Sequence, residues 1–196
     1  KGENNWNQVC WCGMVLGALA IAEDEPQLAT QYLQLVKEDN HYGLRPYQPD
    51  GVYPEGPMYW SYGTSFQVVL IEALRSALGK DWDLSQSAGF MESAAAFVQT
   101  TAPSGDWFNF SDCSLRSGIE PALFWFARTL QQPELLQFEE AKLAEFTAFD
   151  SSSEAGNNAR TSKEGVRLLP LAALWWPPEY SSKQQPLPLC WRGEGA

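Results

Sequence analysis

The chain has 196 residues, enough for one domain with its own core, and 13 Lys and Arg stand against 24 Asp and Glu, for a formal charge of −11. That balance argues against a nucleic-acid partner and against an anionic membrane surface, and more weakly against a polyanionic substrate. Four cysteines at 10, 12, 113 and 190 form no Cys-x-x-Cys pair and the single histidine, His41, stands apart from them, so neither a metal site nor another cofactor is expected.

In chain order, Asn4, Asn5 and Asn7 flank Trp6 and supply candidate N-caps for a first helix running through Ala22. Val9 to Ala22 carries no charge. This run is shorter than the roughly 20 residues a bilayer span requires, so it predicts a buried helix and no membrane span. It is apolar on every face, which predicts a helix surrounded by protein, with Cys10 and Cys12 as buried free thiols. Gly13 and Gly17, four apart, would let a neighbouring helix come close. Pro26 then opens a second helix whose single stripe of Leu28, Tyr32, Leu35 and Val36 leaves its other side to water. An inner apolar helix followed by an outer amphipathic one is the unit of a helical hairpin array.

The pattern recurs. Asp50-Gly51 marks a turn, Glu55-Gly56-Pro57 starts a third helix, and Tyr62, Phe66, Val69, Leu70, Ala73, Leu74 and Ala77 form its stripe up to Gly79. A fourth, alanine-rich helix is expected over Gly89 to Thr101, followed by an aromatic-rich loop from Pro103 to Asp112. Another pair follows at Ile119 to Leu130 and Pro133 to Phe149. Asp150 to Lys163 reads as a mobile connection, and Val166 to Trp176 as a short helix stopped by Pro177-Pro178. Residues 1–176 are thus expected to be all-α, built as inner and outer layers, and residues 177–196 an extended, proline-rich strap or linker. With Lys1 at its start and no capping element in Trp191 to Ala196, the chain is expected to be partial, any signal peptide lying outside it.

Three stretches together resemble the heparinase II/III-like polysaccharide lyases: Asn4-Asn5-Trp6-Asn7-Gln8-Val9, then Asp50-Gly51 leading into Glu55-Gly56-Pro57-Met58-Tyr59-Trp60-Ser61-Tyr62-Gly63, then Pro103-Ser104-Gly105 ahead of Phe108-Asn109-Phe110. The similarity runs through nearly the whole chain. It implies an incomplete α/α toroid, here its C-terminal part, followed in the same protein by a β-sheet domain, and a periplasmic or secreted bacterial location. It also implies β-elimination at a uronic acid, which requires a group to neutralise the carboxylate, a base for the C5 proton and an acid for the leaving oxygen. By the family motif, Asn5 neutralises the carboxylate and Tyr59 serves as acid, in some members also as base. The second base or neutralising histidine comes from the sheet domain in the family, and no residue here stands for it, so residues 1–196 alone are expected to be inactive. Where such lyases often carry histidine after the asparagine and the tyrosine, this chain has Trp6 and Trp60.

Candidate substrate contacts are Trp6, Glu55, Trp60, Tyr62, Trp107, Asn109 and Arg116, with Arg45 and Arg116 the basic residues nearest in sequence to the aromatic loops. Each has a structural alternative. Asn5 can cap its helix, Tyr59 and Tyr62 can continue the buried stripe, and Glu55 can answer the helix dipole. Two other functions stay open. An α/α-barrel glycoside hydrolase would draw two carboxylates from Asp50, Glu55 and Asp106. A non-catalytic helical carbohydrate-binding or scaffold module would use the aromatic rings alone.

Overall fold

The computed structural model describes residues 2–115, 118–150, 163–177, 187–188 and 190–192. Seven α-helices are described: α1 (Asn5–Ala20), α2 (Pro26–Asp39), α3 (Pro57–Leu78), α4 (Ser93–Gln99), α5 (Pro121–Leu130), α6 (Glu139–Asp150) and α7 (Lys163–Trp175). Short 3₁₀ segments occupy Asn40–Tyr47, Leu84–Gln86 and Pro133–Leu136. An isolated antiparallel bridge joins Thr101 and Trp107. The described part of the chain is therefore all-α. The connection expected at 150–163 falls almost wholly on residues outside those described, as does most of the segment 177–196.

Local chemistry sets several helix ends. Proline occupies the first turn of α2, α3 and α5, where its missing N–H costs nothing. Gly79 closes α3 in the left-handed conformation, φ +71°, and its N–H reaches the Arg75 carbonyl. The helix expected over Pro133 to Phe149 divides: Pro133–Leu136 winds as a 3₁₀ turn, and α6 begins only at Glu139.

Helix α3 is the spine. One face meets the first turns of α1. A Cβ at Gly63 would stand 2.8 Å from the Asn5 Cβ and 2.2 Å from Gln8 Oε1, so α1 lies directly on the α3 backbone there. The other face of α3 meets α5: Ser61 Oγ donates to Glu120, and Trp125 Nε1 donates to Glu72 Oε1 at 2.9 Å. Helix α2 lies along α1 and buries Ala29 and Val36.

The core behind α3 is aromatic. Trp60 stacks on Phe97 at 4.1 Å, Phe97 meets Trp107 edge-on at 5.9 Å, and Phe126 bridges Trp60, Phe90 and Trp125. By contrast α1 is not enclosed. Trp6, Cys10, Gly13, Leu16, Gly17 and Ala20 are exposed, and nothing lies within 4 Å of a Cβ placed at Gly13 or Gly17. The expectation of a surrounded helix is corrected for that face, and with it the expectation that Cys10 is buried. Cys12, on the enclosed side, is 1% exposed, and burial pushes its thiol up to about 12.

A buried carboxylate anchors the start of α5. Glu139 accepts the Glu120 N–H at 2.8 Å and pairs with Lys142 at 2.7 Å. Burial raises Glu139 above the ordinary 4.5 despite both partners, so the folded state holds this proton more tightly than the unfolded chain does. Its contribution to stability is therefore lost as pH climbs from the ordinary value through the raised one. Glu139→Gln can still accept the Glu120 N–H but carries no charge. Between about pH 4 and about pH 7 its urea midpoint is expected to gain on that of the wild type. A constant gap across that range would contradict the linkage.

Candidate active site

Asn5 is the first residue of α1, the extended Asn4 occupies the capping position, and no side-chain capping bond is made there. Capping therefore does not account for Asn5. Its side chain is 3% exposed against Gly63, and among the described residues no hydrogen bond engages its amide.

Tyr59 stands on the first turn of α3, four residues before Gly63 and so on the same face of that helix. Its ring is half-buried against the core. Asn5 thus sits over Gly63, and Tyr59 lies one turn nearer the start of α3, packed against the core.

Beneath them a polar network sets the register of the seam. Gln8 Nε2 donates to Tyr47 Oη at 2.7 Å, and Tyr47 Oη shares a hydrogen with Thr64 Oγ1 at 2.7 Å. Burial pushes the Tyr47 phenol well above its ordinary value, opposed in part by Thr64 and Gln8, so it stays a neutral hydroxyl. Asn40 and Gln67 exchange amide bonds at 3.1 and 2.8 Å, and Asn40 Nδ2 also donates to Asn7 Oδ1 at 3.2 Å. Asn7 Nδ2 in turn reaches Asp39 Oδ2 at 3.1 Å, which also accepts Trp11 Nε1 at 2.9 Å. These residues were missed as a group in the sequence. The available signal was polar side chains at helical spacing on faces otherwise apolar, Asn7 with Trp11 and Thr64 with Gln67.

On the solvent side, Arg45 reaches Glu3 at 2.6 Å and lies 4.4 Å over the Tyr42 ring, whose other neighbour is His41 at 4.1 Å. A cation and two rings therefore stand beside the residues leading into Asn5.

The remaining candidates scatter. Trp6 is 64% exposed, Asn109 is exposed, and Tyr62 is half-buried with its ring edge-on to Phe66 at 5.4 Å. Glu55 is half-buried and accepts the Tyr53 hydroxyl at 3.3 Å. Trp60 and Trp107 differ from expectation. Both are at most 2% exposed and form part of the aromatic core, so neither ring offers a face to a polysaccharide. Trp107 is drawn inward because its loop folds back, with Trp107 N bonded to the Leu115 carbonyl at 2.8 Å and Phe108 N to the Thr100 carbonyl at 2.7 Å. The ring left outside is Phe108, 69% exposed. Arg116 lies outside the described residues.

The carboxylates a hydrolase would need are engaged elsewhere. Asp50 is held by the Arg192 backbone N–H at 2.9 Å and its guanidinium at 3.0 Å, which lowers its pKa below the usual carboxylate range. Asp106 closes a local turn with Ser104 at 3.0 Å. Among the described residues no cluster of His, Cys, Asp and Glu could hold a metal ion, and no helix is long and apolar enough to cross a membrane. No protein-family model matches the chain, and no curated protein matches it.

Proposed function

We propose that this chain belongs to a polysaccharide lyase that cleaves a uronic-acid-containing polysaccharide by β-elimination, and that its helices are part of an α/α toroid. The observation that supports the reading is Asn5 seated on α3 at Gly63, one helical turn from Tyr59, with no hydrogen bond to its amide among the described residues. The order of contacts, α1 on α3 and α3 on α5 with α2 alongside α1, supports layered hairpins of the toroid kind.

In this reading the Asn5 amide N–H donates to the uronate carboxylate and stabilises the charge that develops there when the C5 proton leaves. The C5–H electron pair forms the C4–C5 double bond, the C4–O bond breaks, and the Tyr59 hydroxyl protonates the departing glycosidic oxygen. The β-sheet domain of the same protein supplies the base. Trp6, Tyr62 and Asn109 contact sugar residues on either side.

The protein carrying this chain, incubated with a panel of uronans, is expected to release unsaturated, ultraviolet-absorbing sugar ends. Saturated reducing ends alone would transfer the reading to a hydrolase. A second reading, a carbohydrate-binding module without catalysis, draws on the exposed Trp6 and Phe108 rings; sugar binding with no turnover would favour it.

A further inference from the structure

Ser61 stands near the start of α3, two residues past Tyr59 and so about 200° round the helix from it. A buried helical serine can turn its hydroxyl back to the carbonyl four residues earlier, here that of Pro57. Ser61 Oγ instead donates across to Glu120 Oε2 at the start of α5. Glu120 makes a matching choice. It occupies the capping position of α5, where a carboxyl can take an N–H from the first turn of its own helix, yet it makes no such bond. Both side chains thus leave a local partner for one 59 positions away.

The junction is buried throughout: Ser61, Glu120 and Glu139, which accepts the Glu120 N–H, are all enclosed. A space that only needed filling would suit apolar side chains, since a buried carboxyl loses its water and an apolar group of the same shape often serves stability as well. What the carboxyl adds is direction. It is a strong acceptor for a hydroxyl, and it holds residue 61 of α3 to a fixed place on α5. The rest of that turn is tied as well. Met58 N–H donates to Cys113 Sγ at 3.4 Å and Trp60 stacks on Phe97 at 4.1 Å, so both sequence neighbours of Tyr59 are fastened to other parts of the fold.

We propose that Glu120 is a positioning residue for Tyr59: through Ser61 it sets the rotation and height of the start of α3, and with them the place of the Tyr59 hydroxyl. The proposal rests on the lyase reading and adds to it a residue that acts from the far side of the helix.

The test is steady-state turnover of an oligouronide by the protein carrying this chain, read as unsaturated-end formation below the melting temperature of every variant. Ser61→Ala and Glu120→Ala are each expected to lower kcat about 10- to 100-fold, the cost of misplacing a reacting group by about 1 Å, with KM within about twofold of wild type. Glu120→Gln keeps an oxygen that can accept the Ser61 proton and is expected to recover most of kcat. In a Tyr59→Phe background, Ser61→Ala is expected to cost less than about twofold more, because the hydroxyl it positions is already gone. Should Glu120→Ala not fold, Ser61→Ala, which removes a single oxygen, carries the same test. A loss of equal size in both backgrounds, wild-type kcat in Ser61→Ala, or no recovery in Glu120→Gln overturns the positioning role and leaves the lyase reading intact. No unsaturated ends from the wild-type protein on any uronan overturns both.

Discussion

Tyr59→Phe is expected to lower the rate of unsaturated-end formation by about 10²–10⁴-fold, the usual worth of a positioned acid or base. The change deletes one oxygen and leaves the ring, which is half-buried against the core and so keeps its packing. Melting temperature and oligouronide affinity are therefore expected to stay close to wild type. That combination, a large loss in kcat with little change in KM, marks a group acting in the transition state. Retention of most of the turnover by Tyr59→Phe would remove Tyr59 from the chemistry. A parallel loss of fold would show only that the hydroxyl was structural.

Gly63→Ala should produce the largest loss of stability among conservative substitutions on this seam. In an isolated helix the change stabilises by roughly 0.5–1 kcal/mol, because glycine is the looser residue. Here the added methyl meets the Asn5 Cβ at 2.8 Å and Gln8 Oε1 at 2.2 Å, and Gln8 is tethered to Tyr47. Overpacking of this kind costs about 1–3 kcal/mol, which outweighs the gain in helix propensity, so we expect a net loss of about 2 kcal/mol and a melting temperature lower by about 4–8 °C. Gly13→Ala and Gly17→Ala are the controls. With open space at both positions they keep the propensity gain and are expected to stabilise slightly. A stabilised Gly63→Ala protein would mean that α1 does not lie on α3 as described.

What could be read in the sequence was what neighbouring residues decide. Pro26, Pro57 and Gly79 mark the ends of α2 and α3 because proline and glycine constrain the backbone wherever they stand. Asn5 and Tyr59 entered as candidates through resemblance alone, while the seat of Asn5 on α3 depends on Gly63, whose meaning appears only when α1 lies across it. Trp60 and Trp107 were misplaced for the same reason. Trp107, on a polar loop, looks like a surface platform until the loop turns back and carries it under, and Trp60, on the first turn of α3, looks like a cleft wall until Phe97 and Phe126 pack against it. Asn40 and Gln67, 27 residues apart, pair through geometry that no local pattern encodes. The open face of α1 was likewise hidden, since an apolar sequence reports what a helix could bury and says nothing of what stands beside it.

That open face makes α1 a ready place for a reporter. Cys10 is exposed and Cys12 buried, its thiol pushed up to about 12, so an alkylating dye discriminates between two cysteines only two residues apart. With Cys113 and Cys190 replaced, the label goes to Cys10 alone. It then rests one helical turn from the exposed Trp6 indole, a contact quencher, four residues from a ring proposed to meet sugar. A sugar laid on Trp6 would part dye from indole and brighten the label, so the helix that positions Asn5 would double as an optical gauge of its occupancy.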